Sequence, residues 1–160
     1  MPFSVIKGTF HVVGFSPDGD SIRFKALDNT RWSALEGIPV RLSAQGMAQL
    51  RIEAIDTLET HYEQQHQPLA FAETAAQKLF TLLGIKDVVW NASHSKVVSA
   101  KDGIPGAIIS RTTEENGRPV AFVFDSKLDL LDGEPIFLEK PLVRKSINFK
   151  MLRAGLAYPS

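Results

Sequence analysis

Apolar and polar positions alternate through most of the first third of the chain. Residues 4–15 are rich in Val, Ile and Phe and run into "SPDGD", where Asp18-Gly19 forms a tight-turn dipeptide because both residues tolerate positive φ. Beyond it, "SIRFKA" sets Ile22, Phe24 and Ala26 against Arg23 and Lys25, so residues 4–15 and 21–26 are expected to pair as a hairpin. Residues 27–43 break the pattern and read as an inserted loop with a helical turn around residues 32–35. Alternation returns over residues 48–55, where Leu50, Ile52 and Ala54 interleave with Arg51 and Glu53 in the period of a half-buried strand.

A different period follows. Leu69, Ala72, Ala76, Leu79, Phe80 and Leu83 form one stripe of a helix over residues 68–83, with Pro68 at its start and Gly84 just past its end. Short strands are expected at residues 88–91, 96–100, 107–111 and 120–124, the last two joined by a turn at "EENGRP". The segment "LEKPLVRKSINFKMLRAG" predicts one or two short helices, with Ser146 as N-cap and Gly155 as stop. Strands, a helix, more strands and a final helix make an α+β fold built around a small barrel.

Composition narrows the functional classes. With 160 residues, 44% of them hydrophobic and 22% charged, the chain reads as one soluble globular domain over 1–160. Its formal net charge is zero, so binding to a polyanion must come from a local cluster or a metal, not from bulk charge. The absence of cysteine excludes disulfides and thiolate zinc sites, and His11, His61, His66 and His94 lack a zinc spacing. The opening "MPFSVIKGTF" lacks the pattern of a signal peptide and no apolar run reaches membrane-spanning length. The expectation is a cytoplasmic protein with no membrane partner.

Three acidic residues occupy turn or strand-end positions: Asp20 after the hairpin turn, then Asp56 and Glu59 after the third strand. Hard divalent ions such as Ca²⁺ or Mg²⁺ take several oxygen ligands, and carboxylates supply both oxygens and charge. Arg51 points away from the face of Leu50 and Ile52, and Arg118 lies in a glycine-containing turn. Guanidinium forks match phosphate oxygens and stabilise charge building on a phosphoryl transition state, so the set suits phosphodiester hydrolysis. Taken singly, each residue also has a structural reading. Asp-Gly-Asp is a hairpin device, Arg51 the exposed side of a strand, Asp56 and Glu59 a helix start, and Arg118 a loop arginine.

Taken in order, "DGDSI", "LRIEAIDTLET", "NGRPVAFVF" and "LRAGLAY" resemble the staphylococcal nuclease (thermonuclease-like) family over about residues 8–158, with gaps. That family carries an Asp-Gly-Asp turn, an arginine followed at fixed distance by Asp-Thr-Pro-Glu, a Tyr-Gly-Arg turn before an aromatic strand, and a closing Gly-Leu-Ala. The resemblance implies a five-stranded OB-fold-type β-barrel with two to three helices, and a Ca²⁺-dependent nuclease acting on DNA or RNA. It implies Asp20 and Asp56 as metal carboxylates, the carbonyl of Thr57 as a further ligand, and Glu59 as general base or orienter of the attacking water. Arg51 and Arg118 would hold the scissile phosphate, Arg118 assisting the leaving oxygen, and cleavage of the 5′ P–O bond would leave 3′-phosphates.

Several positions depart from the family pattern. Leu58 replaces the proline between Thr57 and Glu59, removing a fixed φ from the turn that aims the base. Glu115 and Asn116 stand where lysine and tyrosine are common, which weakens phosphate attraction and base stacking at that edge. The segment between Asp20 and Arg51 is longer than in short family members, and the family usually continues into another helix beyond "GLAYPS", so the expectation is either a C-terminal truncation or a protein without that helix, with truncation favoured. Trp32 and Tyr62 could stack on a base or pack as ordinary aromatics. The competing function is a non-catalytic OB-type module that binds nucleic acid or a protein partner.

Overall fold

A computed structural model describes residues 2–14, 21–53 and 69–155 of the chain. Its strands are β1 (Phe3–His11), β2 (Ser21–Ala26), β3 (Ala48–Ile52), β4 (Lys86–Trp90), β5 (Val97–Lys101), β6 (Ile104–Thr113), β7 (Pro119–Asp125) and β8 (Pro135–Ile136). Helices α1 (Leu69–Leu83), α2 (Lys140–Val143) and α3 (Ile147–Arg153) join a 3-10 turn at Asn29–Ala34. Strands pair in the order β2-β3-β7-β6-β1, and β1 also pairs with β2, which closes five strands into a mixed barrel of the OB-fold type. The β3–β7 pair is parallel and the other four are antiparallel. β8 extends the sheet beside β1, while β4 and β5 form a separate hairpin.

Alternation along the strands fills the barrel. Ile6 and Phe10 of β1, Ile22 and Phe24 of β2, Leu50 of β3 and Val123 of β7 are buried in one cluster with Leu79 and Phe80 of α1. Burying such side chains contributes about 1.5–3 kcal/mol each. Closure demands a close approach at one rung, where Gly8 of β1 pairs with Gly106 of β6. A Cβ on Gly8 would strike the Lys25 carbonyl oxygen, and one on Gly106 would strike the Phe10 ring. The sequence pattern anticipated the hairpin of β1 and β2, the strand β3, and α1, whose apolar stripe is buried from Ala76 to Leu83. Ser146 caps α3 as expected, its hydroxyl accepting from Phe149 N–H at 3.1 Å.

The exterior of the barrel is divided. Outside β1, β6 and β7, a second cluster of Val5, Ile109 and Phe124 is covered by Leu128, Leu130, Ile136 and Leu142 from the segment that follows β7. Outside β2 and β3 the described residues form no further apolar cluster, and Lys25 and Arg51 are exposed there. The inserted segment between β2 and β3 has a defined structure. Trp32 is buried, packing edge-on to Phe24 with ring centroids 6.2 Å apart, so it is a core residue and not a base-stacking platform. Further along, Thr113 Oγ1 donates to the Ile38 carbonyl at 2.7 Å and Arg41 N–H to the Gly117 carbonyl at 2.9 Å. The insert therefore runs to the β6–β7 turn and is fastened to it.

Candidate functional site

The face of β2 and β3 carries the arginines. Since Leu50 and Ile52 point into the barrel, Arg51 projects outward, and strand register sets its neighbours. Arg51 lies opposite Ser21 on β2 and opposite Val120 on β7. Ser21 directly follows Asp20 in the chain, and Val120 lies two residues beyond Arg118, which immediately precedes β7. One rung back, Arg23 faces Gln49. The polar residues of β2 and β3 thus form one row that ends at the start of β7.

Glu114 fixes the position of Arg118. One carboxylate oxygen accepts from the N–H groups of Asn116 at 2.7 Å and Arg118 at 3.0 Å, and the other pairs with Arg118 Nη2 at 3.2 Å. The hydrogen bond from the Arg118 side chain, helped by these backbone donors, holds the Glu114 carboxyl far below the ordinary 4.5, at about 2. Gly117 completes the turn with φ of 76°, and a Cβ there would lie 3.2 Å from both N and Cβ of Arg41. Turn and insert are therefore in direct contact. Nearby, burial raises the Glu53 carboxyl above its usual range against the opposing pull of Arg51.

A pocket of about 430 Å³ opens between these segments. Its walls are Arg23 and Gln49 from the sheet, Asn116 and Arg118 from the turn, and Arg41 through Ser43 with Met47 from the insert. Among the described residues, three guanidinium groups and no carboxylate line it, in a chain whose net charge is zero. Such a concentration attracts anions locally, as a uniform neutral surface does not. The class defined by fold and site is an α+β OB-type barrel with a cationic face over β2, β3 and the start of β7. No family model, curated protein or solved structure matches the chain.

Of the residues predicted to carry chemistry, Arg51 and Arg118 are brought to this face by neighbouring strands. Asp20, Asp56, Thr57 and Glu59 lie outside the described residues, as do Leu58 and Tyr62. Among the described residues, no group of three or more His, Asp or Glu side chains could hold a metal. Also among them, no helix is long and apolar enough to cross a membrane. Sequence reasoning missed Arg41, Glu114 and the pocket contribution of Arg23. Arg23 was findable, because it has the outward phase of its strand just as Arg51 has on the next one. Arg41 sits in a stretch without period and gave no signal.

Proposed function

We propose that the chain is a Ca²⁺-dependent nuclease of the staphylococcal nuclease type, hydrolysing phosphodiester bonds of DNA or RNA on the arginine-bearing face. The observation that carries this reading is the register of Arg51. It stands between the strand that begins just after Asp20 and the strand that begins just after Arg118, while its own strand leads toward Asp56 and Glu59. Three motif fragments that are distant in sequence thereby belong to three hydrogen-bonded neighbouring strands of the barrel.

The donor set fits the ion: two carboxylates and a backbone carbonyl are the hard oxygens that Ca²⁺ takes, and β2 and β3, the strands they flank, are paired neighbours. Asp20, Asp56 and the carbonyl of Thr57 would hold it. When bound, Ca²⁺ supplies positive charge against the phosphate oxygens. Glu59 takes a proton from the attacking water, and Arg51 and Arg118 bind the scissile phosphate and meet the charge that builds on it. Glu114 keeps the Arg118 fork in one orientation, so less side-chain freedom is lost when phosphate binds.

The test is cleavage of plasmid and RNA at millimolar Ca²⁺. Chelator should abolish it, and Glu59→Gln or Arg118→Ala should each lower the rate about 10²–10³-fold while the melting curve keeps its cooperativity. A folded chain that cuts neither substrate would end this reading. The second reading, a non-catalytic module, is favoured by the Glu114–Arg118 ion pair, which already shares the charge meant for phosphate. Metal-independent oligonucleotide binding without cleavage would select it.

A further inference from the structure

The finish of β7 carries a second concentration of positive charge, outside the nuclease motif. Lys127, Arg144, Lys145 and Lys150 line one hollow of about 420 Å³ over Phe124 and Leu128. All four cationic side chains are exposed, and none enters an ion pair among the described residues. The acid in the lining, Asp125, is engaged by the turn, where its Oδ1 accepts from Lys127 N–H at 2.9 Å. Sequence and fold act together here. Residues 140–153, which make α2 and α3, contain five basic residues and no acid, in a chain of zero net charge. Helix α3 is held against β7 by the buried Asn148, whose Oδ1 accepts from Val123 N–H at 2.7 Å. Lys150 of that helix is thereby brought to the same hollow as Lys127. Like charges gathered on one surface repel one another, and a bound polyanion relieves that repulsion.

We infer that this hollow is a contact surface for a nucleic-acid backbone, apart from the face that would hold the scissile phosphate. Its cations meet successive phosphates, and no base is read. Ammonium groups on long stems follow a row of phosphates without demanding one geometry, as binding independent of sequence requires. The apolar floor does not protrude. Phe124 is buried and Leu128 half-buried, so the hollow offers charge without the exposed apolar anchor that a bilayer would take. Nine positions separate Arg118 from Lys127, at most about 30 Å at about 3.3 Å per residue. A duplex rising about 3.4 Å per base pair covers that distance in roughly nine base pairs. The inference rests on the nuclease reading for the identity of the polyanion. Its test is run without metal, so that the two fail separately.

Binding of the full chain to a fluorescein-labelled DNA duplex of about 24 base pairs is followed by anisotropy in EDTA, between about 50 and 200 mM NaCl. The logarithm of affinity should fall linearly with that of salt. Lys145→Ala combined with Lys150→Ala should make the slope shallower by about 2 and weaken binding about tenfold or more at the lowest salt, equally for unrelated sequences. The melting temperature should not change, because both side chains are exposed. Lys145→Arg combined with Lys150→Arg keeps the charge and should keep the affinity. Absence of binding at the lowest salt overturns the inference. So does an alanine pair with the slope of the parent, or an arginine pair as weak as the alanine one. Polyglutamate that displaces the duplex at equal charge concentration overturns it too, and assigns the surface to an acidic protein. A chain that cuts no nucleic acid yet binds DNA through Lys145 and Lys150 keeps the surface and loses the nuclease. A chain that cuts, with a salt slope indifferent to the two lysines, does the reverse.

Discussion

Strand β7 starts and finishes at cationic pockets of nearly equal size, about 430 Å³ beside Arg118 and about 420 Å³ beside Asp125. At its start the cations are arginines, and the chain around them is pinned by Glu114 and by the hydrogen bond between Arg41 and Gly117. At its finish they are Lys127, Lys145 and Lys150 with Arg144, all exposed, set around Phe124, Leu128 and the acid Asp125. Ammonium groups on flexible stems raise the local potential without fixing a direction, whereas anchored guanidinium forks present donors in a set plane. Positive charge alone therefore does not distinguish the two ends. The backbone hydrogen bonds behind it do.

The largest expected effect strikes both ends together. Asn148 of α3 is buried between them, accepting from Val123 N–H at 2.7 Å and donating to the carbonyls of Glu53 at 2.8 Å and Ala121 at 3.0 Å. Asn148→Ala leaves these groups without their partner and should cost about 2–4 kcal/mol in urea unfolding, with both pockets lost in the same transition. A cost below about 1 kcal/mol would show that the clamp is dispensable. Next comes Gly117→Ala, confined to the arginine end. A side chain at φ of 76°, pressed against Arg41, should cost about 1–2 kcal/mol in urea unfolding, and an unchanged stability would mean that the turn and the insert do not depend on this close approach.

The smallest effect is one of pH. Glu114 titrates at about 2 in the folded chain against an ordinary 4.5, so its stabilising contribution is complete above about 4.5 and disappears as pH falls through about 2. Burial makes Glu53 work in the opposite sense, favouring the fold less as pH rises through its own range. Subtracting the stability profile of Glu114→Gln from that of the parent removes the Glu53 contribution. The difference should shrink on acidification over this window, and a difference independent of pH would contradict the Glu114–Arg118 coupling.

The fold was legible wherever a period was present. "SIRFKA" and the start of "LRIEAI" place Phe24 and Leu50 inside and Arg23 and Arg51 outside, and the barrel uses them that way. The short strand β8 was missed because two residues carry no period. Half of the candidate site was legible for a similar reason, since Arg51 lies on a strand and Arg118 on a recognisable turn. The pocket was not, because Arg41 reaches it through hydrogen bonds between backbones far apart in sequence, which no local pattern encodes. Trp32 was placed in a helical turn correctly, but its burial against Phe24 depends on barrel closure and could not be read from its neighbours.

The insert that supplies Arg41 also seats Trp32 against the core, within one stretch of backbone. The shape of this face is consequently inherited together with folding. Shortening or lengthening the stretch ahead of Ile38 unseats the indole, so selection for a new ligand cannot act there without also selecting for stability. The positions open to such drift lie between the Ile38 tie and the Leu42–Ala48 bridge. A graft of this arginine-bearing wall onto another barrel would have to bring the indole and a Phe24-like partner with it.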